Sequence, residues 1–88
     1  MTCFVYIIKC ADGTLYTGIT WNLGRRIREH NLGLARSSFT KGRLPVELMY
    51  WEKFDSRELA ARREKEIKGW GRRKKETLIS SLHRGAPL

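Results

Sequence analysis

The stretch Phe4-Val5-Tyr6-Ile7-Ile8-Lys9-Cys10, then Ala11-Asp12-Gly13-Thr14, then Leu15-Tyr16-Thr17-Gly18-Ile19 decides the fold. The first run is β-branched and aromatic, and apolar at both alternating sets of positions. That pattern marks a central strand covered on both faces. Asp12-Gly13 between two such runs signals a two-residue hairpin turn, which makes Leu15 to Ile19 the returning strand. In such a hairpin Tyr6 and Tyr16 cannot stand directly opposite each other, but they can lie on neighbouring strands near one face.

Downstream of this hairpin, Thr20 or Asn22 can cap a helix that runs to about Asn31, with Gly33 suited to its end. Leu23 and Ile27 mark its apolar stripe, and Arg26 and His30 flank that stripe toward the body of the protein. A loop follows to Leu44, carrying Arg36, Lys41 and Arg43, and Val46 to Phe54 reads as a third strand. Asp55 with Glu58 makes a capping-box pattern for a helix ending at Lys68-Gly69, with Ala60, Ile67 and Trp70 on its inner stripe and Leu59 beside it. Arg72 to about Leu82 forms a last helix with Leu78 and Ile79 inward. The order β-β-α-β-α-α predicts an α+β domain: a three-stranded antiparallel sheet flanked by helices. It spans residues 1–83, and residues 84–88 form a flexible tail.

At 88 residues the chain has room for one domain, and 41% hydrophobic content is that of a folded one. A net charge of +9 points to a polyanionic partner, nucleic acid before an anionic membrane surface. Cys3 and Cys10 have neither zinc-site spacing nor a secretory context, so they read as small core residues with no disulfide-linked partner. No apolar run is long enough to span a bilayer and no signal peptide is evident, so a cytoplasmic, reduced setting is expected.

Glu64 is the most informative single residue. It falls in the middle of an apolar helical stripe, where a lone carboxylate is costly unless paired or bound to a cation. It is either an ion-pair partner of Arg26 or another base, or a ligand for a divalent metal completed by water and a substrate phosphate. Tyr6 and Tyr16 are either half-buried strand residues or phenols beside an attacking water, made more acidic by nearby positive charge. Arg26 can hold a phosphate oxygen, and His30 can share in proton transfer. Gly18 marks a bulge or a point of close approach for backbone or substrate. Arg36, Lys41, Arg43, Lys68, Arg72, Arg73, Lys74 and Lys75 form the wider basic set suited to nucleic-acid phosphates. Trp21, Trp51 and Trp70 read as packing residues rather than stacking platforms.

Val5-Tyr6-Ile7, Tyr16-Thr17-Gly18, Leu23-Gly24-Arg25-Arg26-Ile27-Arg28-Glu29-His30 and Glu64-Lys65-Glu66-Ile67-Lys68-Gly69-Trp70 together resemble the GIY-YIG nuclease superfamily. The nearest likeness is to its small stand-alone URI-type members, and a more distant one to the N-terminal domain of UvrC. The resemblance covers about residues 4 to 80. It implies the GIY-YIG fold and cleavage of a DNA strand with Mg2+ or Mn2+. It implies that Tyr6 organises the site, Tyr16 acts as general base and Arg26 stabilises the phosphate. His30 would aid proton transfer or substrate contact, and Glu64 would hold the metal. The chain departs from the pattern in three places: the first tripeptide lacks its glycine, Thr17 replaces an isoleucine, and Ile19 stands where UvrC relatives carry a lysine. A nucleic-acid-binding module acting with a partner is the alternative reading, and a basic protein contacting an acidic partner is a third.

Overall fold

The computed structural model describes residues 2–34, 40 and 42–85. The predicted phosphate contacts Arg36 and Lys41 therefore lie outside the described residues. The elements are β1 (Cys3–Lys9), β2 (Leu15–Thr20), α1 (Leu23–Asn31), β3 (Glu47–Phe54), α2 (Arg57–Lys68) and α3 (Arg72–Gly85), in the predicted order. The sheet is antiparallel with strand order β2-β1-β3, which makes β1 central and β2 an edge.

A central strand must be apolar on both faces, and β1 is. Cys3, Val5 and Ile7 pack with Tyr50, Ala60, Ile67 and Ile79 beneath α2 and α3. Tyr6, Ile8 and Cys10 pack with Val46 and with Leu23 and Ile27 of α1 on the other face. The result is three layers, α1 on one side of the sheet and α2 with α3 on the other. Cys3 and Cys10 are buried free thiols on opposite faces. No helix among the described residues is long and apolar enough to cross a membrane.

The hairpin differs from the sequence expectation by one residue. The register pairs Lys9 with Leu15, Ile8 with Tyr16 and Tyr6 with Gly18. Three residues, not two, thus close the turn: Ala11, Asp12 and Gly13. Asp12 Oδ1 accepts hydrogen bonds from the Thr14 amide (3.0 Å) and hydroxyl (2.6 Å), and Gly13 takes φ +88°. A left-handed glycine at the third loop position is the usual solution for this loop length. Because side chains alternate with period two, this register sets Tyr6 and Tyr16 on the same face of the sheet, which the expected two-residue turn would not have done: it would have paired Tyr16 with Lys9 and sent the two rings to opposite faces.

Two caps and a clamp fix the helices. Asn22, one of the two predicted caps, accepts from the Arg25 amide at 3.0 Å. At the far end the Gly33 and Leu34 amides donate to the His30 and Glu29 carbonyls, with Gly33 at φ +73°. That double bond around a left-handed glycine is a Schellman termination. The Asn31 amide side chain then both donates to and accepts from the backbone of Val46 (3.3 and 2.6 Å), tying α1 to the start of β3. For α2 the cap is Ser56, not Asp55: its hydroxyl accepts from the Leu59 amide at 3.2 Å. Both residue types cap well, and Ser56 holds the extended backbone that a cap requires. Leu59 points outward, while α3 continues to Gly85, past the predicted domain end.

A second polar cluster holds α2 to β3. Arg63 makes two parallel hydrogen bonds to Glu52 (both 2.9 Å) and a third to Glu66, and the Tyr50 hydroxyl donates to Glu52 at 2.5 Å. Burial would raise the Glu52 carboxyl, but the bonds from Arg63 and Tyr50 outweigh it and hold the group below its ordinary value. Trp70 packs against the core under the Arg63 and Lys74 side chains, whose charges lie 5.1 and 4.4 Å from its ring centre.

Candidate active site

The same-face register and the inward stripe of α1 bring three rings together. Tyr6 and Tyr16 lie 6.4 Å apart between ring centres, Tyr6 and His30 6.2 Å, and Tyr16 and His30 5.7 Å. Tyr6 and His30 are each 1% exposed, whereas Tyr16 is half-buried. The Tyr6 hydroxyl and His30 Nε2 share a hydrogen bond of 3.2 Å, and His30 Nδ1 shares one of 3.0 Å with the buried Thr40 hydroxyl. Burial pushes the Tyr6 phenol well above its ordinary value; Tyr16 and Glu64 push it further and Arg26 opposes them. At Tyr6 desolvation outweighs the one neighbouring guanidinium. Burial and the Arg26 charge both depress the His30 imidazole. His30 is therefore a neutral interior ring that touches Tyr6, with its face closed to solvent.

Thr40, which bonds His30 Nδ1, was not singled out from the sequence as a site residue. A neutral imidazole has one donor and one acceptor, and Tyr6 and Thr40 satisfy both. Thr40→Val keeps the volume and removes the hydroxyl, leaving one buried ring nitrogen unpaired. The expected loss is about 1–3 kcal/mol of stability. The wild-type chain has its own pH signature: because the folded His30 value lies below 6.5, its contribution is fully present above pH 6.5. It is lost as pH falls through the folded value. Urea unfolding of both chains from about pH 8 to about pH 5 checks both statements; a flat profile overturns the second.

Arg26 enters from α1. Its side chain is 38% exposed, and its Nε lies 3.3 Å from Glu29 Oε1. The geometry is that of a charge contact, because this buried Nε makes no hydrogen bond. A guanidinium nitrogen with a charge contact but no hydrogen bond keeps a donor that an anionic oxygen can take in place of Glu29. Gly18, on β2, is the floor under Tyr6: a Cβ there would stand 2.5 Å from the Tyr6 hydroxyl oxygen. Of its two predicted uses the structure shows close approach, and the neighbour is a side chain of the same protein.

Glu64 comes from α2, over the opposite face. Its side chain is 21% exposed, and its partner is Lys68, at 3.4 Å, rather than Arg26. Lys68 also sets its ammonium 5.8 Å from the Tyr16 ring centre. The two faces meet in this way because β2 is an edge strand. A part-exposed i,i+4 pair is worth only about 0.3–0.5 kcal/mol, too little to lock the carboxylate against a cation. Among the described residues no group of three or more His, Cys, Asp or Glu side chains converges. A metal here would be held by Glu64 with water and a substrate phosphate, a donor set that suits magnesium or manganese rather than zinc.

Lys68 thus leaves the peripheral basic set for the centre of the site; its i,i+4 spacing from Glu64 was the available signal. The remaining basic residues cluster elsewhere. Arg43 pairs with Asp12 at 3.0 Å. Arg72 donates to the Gly13 carbonyl at 2.7 Å and pairs with Glu76 at 3.1 Å. Arg73 and Lys74 are exposed and Lys75 is half-buried at the start of α3. Trp51 packs edge-on against Phe4, as expected of a packing residue. Trp21 does not pack in this way: it is 46% exposed.

Comparison with known proteins identifies the family and bears out the fold. The family model described as the GIY-YIG catalytic domain matches residues 2–77. A UPF0213 protein of Natronomonas pharaonis is 51% identical over 77 residues, covering 88% of this chain and 89% of that protein. A UPF0213 protein of Desulfotalea psychrophila is 48% identical over 82 residues, covering 93% and 74% respectively. The solution NMR structure of a UPF0213 protein from Bacillus halodurans superposes with a TM-score of 0.60 at 44% identity, covering 99% of this chain and 89% of that one. That of a protein from E. faecalis does so with a TM-score of 0.65 at 31% identity, covering 100% and 93%.

Proposed function

Because the chain belongs to the GIY-YIG catalytic domain family, we propose that it is a divalent-metal-dependent endonuclease. Its substrate is a DNA phosphodiester bond in a single-stranded or branched region, and its setting the cytoplasm. One observation supports this above the others: an arginine nitrogen lacking a hydrogen bond and a weakly held carboxylate, carried on opposite faces of the sheet, both act on the Tyr6 phenol, and Lys68, the partner of that carboxylate, reaches the Tyr16 ring.

In this reading the half-buried Tyr16, not the enclosed Tyr6, stands next to the attacking water and takes its proton. Tyr6 and His30 keep the aromatic wall rigid, and His30 acts on the site through Tyr6 rather than by contact with substrate. Arg26 receives a non-bridging phosphate oxygen at its guanidinium in place of the Glu29 contact and stabilises the charge that develops there. Glu64 is the residue that would hold Mg2+ or Mn2+; when bound, that ion supplies Lewis-acid activation of the phosphate and steadies the leaving oxygen. Lys68, freed from Glu64, adds a cation beside Tyr16, where the related pattern would have drawn one from the position of Ile19. Arg72, Arg73, Lys74 and Lys75, with Arg36, Lys41 and Arg43, extend the contact along the backbone without reading sequence.

The experiment is cleavage of end-labelled single-stranded, duplex and forked DNA with magnesium, with manganese, and with EDTA. Metal-dependent incision of the single-stranded or forked substrate is expected, with duplex cut more slowly. Salt-sensitive binding without incision under either metal favours the non-catalytic binding module instead.

A further inference from the structure

Thr20, Trp21, Asn22, Arg25, Arg26 and Glu29 line a cleft of about 230 Å3 at the start of α1. Trp21 gives it an exposed aromatic wall, and among the described residues neither a ring nor a cation covers that indole. The other two tryptophans are both packed. Arg26 belongs at once to this cleft and to the tyrosine site, where its charge acts on the Tyr6 phenol. A phosphate held by the Arg26 guanidinium would place its neighbouring nucleotide in the cleft that Trp21 also lines.

We propose that this cleft is a nucleobase subsite, in which Trp21 stacks one unpaired base next to the phosphate held by Arg26. The proposal rests on the reading of Arg26 as the phosphate residue. The cleft has room for a single heterocycle. The Arg25 side chain at its rim is 73% exposed; its Nε bonds Glu29 at 3.2 Å, and its other guanidinium nitrogens suit the following phosphate. Glu29, whose two oxygens are met by Arg25 at 3.2 Å and Arg26 at 3.3 Å, holds both guanidinium groups at the cleft. Stacking on an aromatic side chain adds roughly five- to a hundredfold in affinity per base and tolerates any sequence. A paired base is already stacked on both faces, and extruding it costs about as much as one new stack returns. The cleft consequently favours single-stranded over duplex DNA, and it does so before any bond is cut.

Binding in EDTA isolates this step from cleavage. Labelled single-stranded DNA and a duplex of the same sequence are titrated with wild type, Trp21→Ala and Trp21→Phe. The expected outcome is a loss of roughly five- to a hundredfold on single strands for Trp21→Ala, with duplex affinity within about twofold and most of the loss restored by phenylalanine. A second probe leaves the protein untouched: a series of single strands with one abasic residue at successive positions, in which one position weakens wild-type binding and has no effect on Trp21→Ala. A Trp21→Ala affinity within twofold of wild type on single strands, or equal losses on single strands and duplex, overturns the proposal. Cleavage that persists alongside such a result leaves the nuclease reading standing. A Trp21 effect without cleavage under either metal removes the nuclease reading and leaves the subsite, and no binding to any DNA removes both.

Discussion

Glu64→Gln is expected to lower the rate of metal-dependent DNA cleavage by about a thousandfold or more. Loss of one metal-holding carboxylate removes several kcal/mol of transition-state charge stabilisation, and each 1.36 kcal/mol is about tenfold in rate. Glutamine keeps the shape of the side chain, so little else changes. The Lys68 contact it weakens contributes at most about 0.5 kcal/mol, equivalent to about 4 °C or less in the melting temperature of so small a domain. DNA affinity measured in EDTA is expected to stay near the wild-type value or to rise slightly as one negative charge is lost. Single-turnover cleavage, thermal unfolding and binding on the same preparations check the three statements together. A variant that cuts at the wild-type rate removes Glu64 from the mechanism.

The second large effect falls on Gly18, which carries no functional group at all. Gly18→Ala puts a methyl group 2.5 Å from the Tyr6 hydroxyl oxygen and 2.7 Å from the ring carbon that bears it. Tyr6 has nowhere to go: it is 1% exposed, bonded to His30 and packed against Tyr16. Overpacking of this kind costs about 1–3 kcal/mol, which in a domain of this size lowers the melting temperature by about 5–20 °C. The cleavage rate falls with it, because the ring that moves is a wall of the site. Adding Tyr6→Phe relieves the oxygen contact and leaves the carbon one, so the double variant recovers part of the lost stability. That non-additivity identifies the clash as the cause. Losses that simply add would place the effect of the alanine elsewhere.

Much of this architecture could be read from residue order, for identifiable reasons. A strand apolar at every position has to be central, and β1 is. Leu23 and Ile27 set the rotation of α1, and that rotation alone turns His30 inward. Helix ends carry their own chemistry, so Asn22 and Gly33 were visible as boundaries. The turn was not, because Asp12-Gly13 suits a loop of either two or three residues and the difference lies in how the Asp12 side chain bonds to Thr14. That one residue matters: a two-residue loop would put Tyr6 and Tyr16 on opposite faces and leave no site. The cap of α2 lay between two adjacent capable residues, Asp55 and Ser56. The elevated Tyr6 phenol, the Thr40 bond and the open face of Trp21 all depend on how deeply each group sits, which residue types and spacings do not encode.

The position of β2 at the sheet edge, with phenols and guanidinium on one side and carboxylate on the other, has a consequence in time. A chain emerging from the ribosome as far as His30 carries the hairpin and its first helix, but the acid is thirty-four residues away and unsynthesised. If the proposed reading holds, the site is complete only once α2 has been made and packed, so activity is tied to the finished domain.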